Sequence, residues 1–330
     1  RRPFESLIAM YYAVRHVTRF RYDHPVRETV MQLIMQPKSE AGQRLTGFQL
    51  TTKPRANLQA YTDHFGNAVY HFSVPQAHQE LLIEAEATLE VAPLASAPEW
   101  VEPEVWDAYT SEEFRAEHFD MLRPTRLTHP SPLLDAFLAE KNLTRAGDPM
   151  TALRRLGRAI YDGFSYQPSV TDVDSPIDIA LQRRQGVCQD FAHIMLTVAR
   201  SWGIPARYVS GYIYTRKDTG DRSDPEATHA WIEAYLPGVG WTGFDPTNNV
   251  AVNERHIRVA IGRDYSDVPP TRGVFKGVAN SELSVAVTVQ PAQAPKRREE
   301  FLRVVRPMGQ AQRNPHLMTA LDHQQQQQQQ

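Results

Sequence analysis

The chain changes its hydrophobic period near residue 93, and this change constrains its fold more than any other feature. From residue 11 to residue 92, apolar and polar side chains alternate without a helical period, most clearly over residues 12–22. Such alternation is typical of strands with one buried face. The predicted strands are residues 12–22, 29–35, 47–52, 58–62, 68–74 and 81–91. Several short strands separated by turn residues predict an all-β sandwich domain at residues 11–92.

Helical signals replace the strand pattern beyond a small, proline-bearing linker. A capping side chain stands directly before a proline at Ser131, Asp148 and Ser175, which predicts three helix starts. Asp178 follows Ser175 by three residues, so these two are also predicted to form a capping box. Later alternation predicts strands at residues 207–214, 228–236, 241–245 and 281–289. We therefore predict an α+β protein, with a helical connection at residues 93–130 and a second domain at residues 131–290.

The chain has a single cysteine, Cys188, and this residue opens one of the helical patterns. Apolar side chains recur at steps of three and four from Cys188 to Trp202, and Gly203 and Pro205 follow. This order predicts a buried helix with a sharp end and Cys188 in its first turn. A helix N-terminus carries about half a positive charge and favours a thiolate. Cys188 is therefore a candidate nucleophile, and a small buried apolar side chain is the alternative.

A thiolate nucleophile needs a base and a third group that orients the base. His229 opens one predicted strand and Asp245 closes the next, on the two sides of a tight turn. If the turn had four residues and paired Leu236 with Trp241, the two side chains would point to opposite faces of the sheet. We therefore predict a register shifted by one residue, through a three- or five-residue loop or a bulge, which brings Asp245 to the face of His229.

The composition and the chain ends exclude other classes of function. A formal net charge of −2 without a basic cluster argues against a nucleic acid partner. No run of eighteen apolar residues occurs, so no membrane span is predicted. A single cysteine cannot form an internal disulfide, which fits a reducing compartment and predicts a cytoplasmic location. Residues 1–10 are predicted to be an extension rather than a signal peptide, and residues 291–330 a disordered tail.

Four residues near the candidate site are predicted to have structural roles. Asp190 suits the first turn of a helix, and His193 lies five positions after Cys188, where it points elsewhere. Trp231 and Trp241 are predicted to pack, with the lining of a substrate groove as the alternative. No HExxH-type spacing occurs, so neither a metal nor another cofactor is predicted.

Three segments together resemble the core of the bacterial transglutaminase-like cysteine enzymes. They are RQGVCQDFA at 184–192, ARYVSGY at 206–212, and residues 229–247 with their His-Ala-Trp, Gly-Trp and Asp-Pro-Thr sequences. Residues 11–91 also resemble the β-rich N-terminal domain that accompanies this core in bacterial members. The resemblance implies a papain-like core in which Cys188 is the nucleophile, His229 the general base and acid, and Asp245 the orienting carboxylate.

The resemblance also implies a class of reaction. Family members act on amide bonds and include peptidases, amidases and glutamine–lysine cross-linking enzymes. We therefore expect a cysteine protease or amidase that acts on a peptide or protein amide through an acyl-enzyme. A transglutaminase with the same three residues and a non-catalytic peptide-binding scaffold are the alternatives. The resemblance further implies ATP-grasp-type and helical companion proteins.

One feature departs from the family pattern. Animal transglutaminases use a tryptophan upstream of the cysteine to hold the oxyanion, and no tryptophan lies between Trp106 and Trp202. The backbone N–H of Cys188 is predicted to be one oxyanion donor. Tyr166 and Gln182 are candidates for the second donor. This difference argues against cross-linking activity.

Overall fold

The computed structural model describes residues 9–40, 42–94, 97–216 and 220–294. Its strands are β1 (Met10–Leu33), β2 (Gln43–Lys53), β3 (Gln59–Thr62), β4 (Ala68–Val74), β5 (His78–Val91), β6 (Ser165–Tyr166), β7 (Gln185–Gly186), β8 (Ala206–Ile213), β9 (His229–Leu236), β10 (Gly240–Asp245), β11 (Val250–Ala251), β12 (His256–Gly262), β13 (Thr271–Lys276) and β14 (Ser281–Pro291). Its helices are α1 (Val105–Ala108), α2 (Glu112–Glu117), α3 (Phe119–Leu122), α4 (Pro132–Glu140), α5 (Pro149–Gly163), α6 (Ile177–Arg183) and α7 (Cys188–Ser201).

The N-terminal region is built around β1, which takes part in two antiparallel sheets. The first half of β1 lies between β5 and β14, and the second half lies between β4 and β13. The register shifts between Arg21 and Val26, where the strand passes from one sheet to the other. Apolar side chains from both sheets, such as Phe72 and Ile83, meet in one buried cluster. The predicted strand-rich sandwich is therefore confirmed.

The last two strands differ from the predicted domain organisation. A strand was expected at residues 281–289 within the second domain, and β14 does form there. However, β14 pairs with the first half of β1, and β13 pairs with its second half. The chain thus returns to the N-terminal sheets after the core, because β1 offers free edges there. The predicted extension and tail lie largely outside the described residues.

Two of the three predicted helix starts are confirmed. Ser131 and Asp148 are the N-caps of α4 and α5, and each side chain accepts a hydrogen bond from the backbone N–H three residues later. The predicted start at Ser175 is wrong, since α6 begins at Ile177 and Ser175 Oγ accepts a bond from the Asp172 N–H instead. Asp178 accepts a bond from the Ser131 hydroxyl, so the predicted capping box does not form.

The core sheet has the strand order β11-β10-β9-β8-β12. Helix α7 packs against β8 and β9 on one face. On the other face, Trp231 and Val209 pack with Phe65 of the N-terminal region. The core sheet is thus covered on both faces, and α7 is held with its N-terminus beside the start of β9. Among the described residues, no helix is both long enough and apolar enough to span a membrane.

Candidate active site

Cys188 is the first residue of α7, as predicted, and its side chain is 9% exposed. The turn before it is fixed by Asp190, whose Oδ2 accepts bonds from the Val187 N–H at 2.8 Å and from Thr171 Oγ1 at 2.7 Å. Gly186 leaves room for this carboxylate, because an added Cβ would lie 2.7 Å from Asp190 Oδ2. The predicted structural role of Asp190 is therefore confirmed, and it holds the first turn of the helix.

The start of β9 brings His229 next to this turn. Cys188 Sγ lies 4.0 Å from the carbonyl oxygen of Thr228, the residue immediately before His229. The His229 side chain is completely buried, and its Nε2 lies 2.8 Å from Asp245 Oδ2. The structure therefore places all three predicted residues in one cluster.

The predicted register shift is confirmed. Leu236 pairs with Gly240 rather than with Trp241, so the hairpin loop has three residues, 237–239. Continuing this register puts Asp245 opposite Trp231, on the face that also carries His229. The single-residue shift is what allows the carboxylate to reach the imidazole.

The carboxylate of Asp245 accepts hydrogen bonds from several groups besides His229, the one partner predicted from the sequence. Its Oδ1 accepts bonds from the backbone N–H groups of Thr247 at 2.9 Å and Asn248 at 3.3 Å. Its Oδ2, besides bonding His229, accepts from Asn248 Nδ2 at 2.7 Å and lies 3.3 Å from His256 Nε2. Burial alone would raise the pKa of Asp245, but the charge of His229 and the hydrogen bonds from His229 and His256 lower it. Asp245 is therefore ionised.

Neither Asn248 nor His256 was predicted from the sequence. Asn248 follows Asp245 by three residues and fits an Asx-type turn, so its position offered a weak signal. Its amide also contacts the segment before β9: Nδ2 donates to Ser223 Oγ at 2.7 Å, and Oδ1 accepts from the Arg222 N–H at 2.8 Å. The side chain thus joins Asp245 to the segment that leads into His229.

The His229 ring is asymmetric in its contacts. Its Nδ1 is buried, and the described part of the chain provides no hydrogen-bond partner for it. Burial would lower the pKa of His229, but the Asp245 carboxylate, together with the neighbouring Cys188, raises it to about 10. Since Nε2 is bound to Asp245, Nδ1 is the nitrogen left available to the thiol. The ring can therefore accept a proton on the cysteine side while the carboxylate holds its other side.

Tyr166 lies near Cys188, because β6 pairs in parallel with β7, directly before the cysteine. Burial, reinforced by the thiol of Cys188, raises the pKa of Tyr166 above its usual range. Its hydroxyl therefore stays protonated and can donate a hydrogen bond. Gln182 differs: it is exposed on α6, and over the described ranges no hydrogen bond joins it to Cys188 or His229. Tyr166 is thus the better of the two predicted oxyanion donors.

Trp231 packs, as predicted, and the alternative, that it lines a substrate groove, is wrong. Trp231 is 0% exposed and packs near two imidazoles, with its ring centroid 6.0 Å from that of His229 and 5.2 Å from that of His256. Its ring covers Gly211, where an added Cβ would lie 2.7 Å from the indole. The indole supports the two histidine rings and is not reachable by a substrate. His193 is also structural, as predicted, since its Nε2 accepts a bond from the Tyr265 N–H.

His229, Asp245 and His256 bring two imidazole nitrogens and a carboxylate oxygen within 4.8 Å of one another, a spacing that a metal ion could use. The proton positions argue otherwise. His256 Nε2 lies 3.3 Å from the ionised Asp245 carboxylate, which can only accept, so this nitrogen carries a proton. Asn248 Nδ2 points a second N–H group at the same carboxylate oxygen. A cation would have to displace these donors, so the cluster is a hydrogen-bond network around Asp245.

Comparisons with known proteins agree with this architecture. A family model described as the transglutaminase-like superfamily matches residues 137–246, and one described as the bacterial transglutaminase-like N-terminal region matches residues 12–90. An uncharacterized protein of Mycobacterium leprae (strain TN) is 32% identical over 281 residues, which cover 84% of this chain and 97% of the relative. A protein-glutamine gamma-glutamyltransferase of Pseudomonas aeruginosa is 31% identical over 166 residues, which cover 46% of this chain and 24% of that enzyme.

A solved structure shows the same fold over most of the chain. It is described as a "Putative Cysteine Protease" from Cytophaga hutchinsonii, and it matches with a TM-score of 0.68 at 20% identity, covering 87% of this chain and 92% of its own. The resemblance predicted from the motifs around Cys188, His229 and Asp245 is thereby confirmed. The chain belongs to the transglutaminase-like superfamily and carries the N-terminal region found in its bacterial members.

Proposed function

We propose that this protein is a cysteine-dependent hydrolase that cleaves amide or peptide bonds through an acyl-enzyme thioester. The observation that carries the proposal is the asymmetric environment of the His229 ring. Its Nε2 is bound to Asp245, whereas its buried Nδ1 has no hydrogen-bond partner within the described residues and Cys188 lies beside it. A free, buried ring nitrogen next to a thiol is the arrangement that proton transfer from sulfur requires.

In the first step, His229 Nδ1 takes the thiol proton and Cys188 Sγ attacks the amide carbonyl carbon. A C–S bond forms while the carbonyl π electrons move to the oxygen. The backbone N–H of Cys188 has no partner within the helix, since it belongs to the first turn of α7. This N–H and the Tyr166 hydroxyl are the candidate donors to the oxyanion.

In the second step, the C–N bond breaks and the His229 imidazolium gives its proton to the leaving amine. A water molecule, deprotonated by the same ring, then attacks the thioester and releases the acid and the thiolate. Throughout the cycle, the buried Asp245 carboxylate keeps the His229 ring oriented and stabilises its charged form. The proposed roles of all three residues therefore follow from their order in the cluster.

Acyl transfer to an amine is the second candidate function, and one observation favours it. The Pseudomonas aeruginosa relative that matches the core is named a protein-glutamine gamma-glutamyltransferase. The same thioester would form, and an amine would replace water in the last step. Hydrolysis remains our first proposal, because no tryptophan lies between Trp106 and Trp202 to support the oxyanion.

Alkylation by iodoacetamide tests whether Cys188 is activated. The chain has one cysteine, so the mass gain of the intact protein reports Cys188 alone. At pH 7 we expect the wild type to react about tenfold or more faster than His229→Gln, because the variant lacks the imidazole that stabilises the thiolate. His78→Gln is the matched control: His78 is buried and hydrogen-bonded to Thr29 in the N-terminal sheets, and it should react like the wild type.

Equal alkylation rates for the wild type and His229→Gln would contradict an active thiol and support the scaffold hypothesis. For the acyl step, the protein is incubated with a lysate peptide pool, quenched in acid, and the adduct on Cys188 is identified by mass. Repeating the incubation with a labelled primary alkyl amine separates the two reactions, because hydrolysis yields only the carboxylic acid whereas acyl transfer also yields the labelled amide. The cytoplasmic location and the ATP-grasp-type and helical companion proteins stay predictions.

A further inference from the structure

His256 is the second imidazole on Asp245, and it comes from a distant strand. It opens β12, which is separated from β10 in the core sheet by β8 and β9. The chain reaches this position after β11, and Val252, which follows β11, packs against the buried cluster of Val209, Trp231 and Ile261. The His256 ring is completely buried, with its Nε2 3.3 Å from Asp245 Oδ2. A side chain from the strand at the opposite edge of the sheet therefore completes the environment of the carboxylate.

The hydrogen bonds of the His256 ring show that it can act as a donor to Asp245. Because the ionised Asp245 carboxylate can only accept, the Nε2 of His256 carries a proton and donates to Oδ2, while Nδ1 lies 3.3 Å from both the backbone N and the Oδ1 of Asn253. Burial lowers the pKa of His256, although Asp245 opposes this effect. The ring is therefore a neutral donor, and it holds the carboxylate without neutralising its charge. The negative charge of Asp245 stays available to His229.

The position of the ring is fixed from two sides. Trp231 packs edge-on against it, with 5.2 Å between the ring centroids. On the outer side of β12, the amide of Gln43 exchanges two hydrogen bonds of 2.8 Å with the backbone of Arg258. Asn67 does the same with the backbone of Ile261, at 2.8 and 2.9 Å. The N-terminal region therefore holds the strand that carries His256.

We propose that His256 is a positioning residue for the reaction of Cys188, acting through Asp245 on the orientation of His229. This role of His256 rests on the proposed function, because it requires that Cys188 and His229 react. As a donor to Oδ2, His256 limits rotation of the Asp245 carboxylate, which in turn fixes the direction of the His229 ring. The residue touches neither the thiol nor the substrate.

Four variants test this role. His256→Phe keeps a planar ring but removes the donor, whereas His256→Gln can donate to Asp245 again. The matched pair is His78→Phe and His78→Gln, since His78 is also buried and hydrogen-bonded through both ring nitrogens. The measurements are the rate of Cys188 alkylation by iodoacetamide between pH 6 and pH 9 and the unfolding midpoint in urea.

We expect His256→Phe to lower the alkylation rate about tenfold at pH 7, the size of one hydrogen bond to a charged group. His256→Gln should recover most of that loss, to within about threefold of the wild type, since a neutral donor is restored. Both His78 variants should react at the wild-type rate, even where their unfolding midpoints fall. Unchanged alkylation in a folded His256→Phe would overturn the inference.

A wild-type measurement covers the case in which His256→Phe does not fold. In the ¹⁵N spectrum of the histidine-labelled protein at pH 7, the His256 signals, assigned by their loss in His256→Gln, should be those of a neutral ring protonated on Nε2. A ring protonated on Nδ1 alone would overturn the inference. If His229→Gln also alkylates at the wild-type rate, the proposed function itself fails, and the two failures are thereby distinguished.

Discussion

Two buried carboxylates lie on the same face of the core sheet, and their surroundings differ. Asp245 and Glu233 are each 1% exposed. Asp245 is bonded by two imidazoles and an amide. Glu233 is bonded by two guanidinium groups: Arg207, with Nη2 2.6 Å from Oε2, and Arg258, which also pairs with Glu40.

The difference separates a reactive site from a structural one. A guanidinium keeps its charge at every pH at which the protein is folded, so the Glu233 cluster cannot pass a proton. An imidazole can hold one proton or two, so His229, unlike a guanidinium, can pass a proton during a reaction. Arg207 also stacks on Trp241, 4.1 Å from the ring centroid, which further immobilises the Glu233 cluster. Burial of a carboxylate alone therefore does not mark a reactive site.

The largest expected effect comes from removing the charge at Asp245. Asp245→Asn should lower the rate of Cys188 alkylation about tenfold or more at pH 7, up to the full loss expected for His229→Gln, because an amide neither stabilises the His229 imidazolium nor keeps its orientation. The measurement is the mass gain with iodoacetamide, at a urea concentration where circular dichroism shows the variant folded. A rate within threefold of the wild type would remove Asp245 from the reaction.

The second prediction concerns the structural carboxylate. Glu233→Gln should lower the free energy of unfolding by about 3 kcal/mol, since both arginines lose their charged partner. Alkylation of Cys188 in the folded variant should be unchanged, because Glu233 does not contact His229. The pair of measurements is urea denaturation and iodoacetamide labelling of the same sample. A large loss of labelling with unchanged stability would contradict the proposal that Glu233 is structural and that only the Asp245 cluster is reactive.

The smallest effect, counted per pH unit, is the dependence of stability on pH. His229 has a folded pKa of about 10 against an ordinary value of 6.5, so between these values the folded state holds more protons than the unfolded state. Its contribution to stability is complete below pH 6.5 and is lost as the pH rises towards 10. This one proton lowers the free energy of unfolding by at most about 1.4 kcal/mol per pH unit.

Urea titrations from pH 6.5 to pH 10 measure that slope, and His229→Gln should remove it. Glu233→Gln should keep it, because the guanidinium partners do not titrate in this window. An identical slope in His229→Gln would place the raised pKa elsewhere in the molecule.

The sequence predicted the three central residues because each lies at a position that secondary structure determines. Cys188 follows from a helix start, and His229 and Asp245 follow from one hairpin, so their geometry depends on local periodicity. The register shift was also predictable, since alternation of side chains requires a shift of one residue for the two to meet, although it left the length of the loop open.

His256 could not be predicted in the same way. Its contact with Asp245 depends on which strand lies beside β8, and the order of strands in a sheet is set by packing of the whole domain. Trp231 was predicted to pack, but its partners could not be named, because Phe65 of the N-terminal region lies on that face of the sheet. The predicted helix start at Ser175 was wrong for a local reason, because the Ser175 hydroxyl accepts a hydrogen bond from the backbone N–H of Asp172.

The two-sided pairing of β1 has a consequence for synthesis of the chain. Tyr12 pairs with Leu89 on one side and with Pro291 on the other. The first neighbour leaves the ribosome early, whereas the second emerges only after the whole segment that carries Cys188. Contacts so remote along the chain form late. Until translation passes residue 281, one side of β1 is an open edge that a chaperone or another nascent chain can pair with.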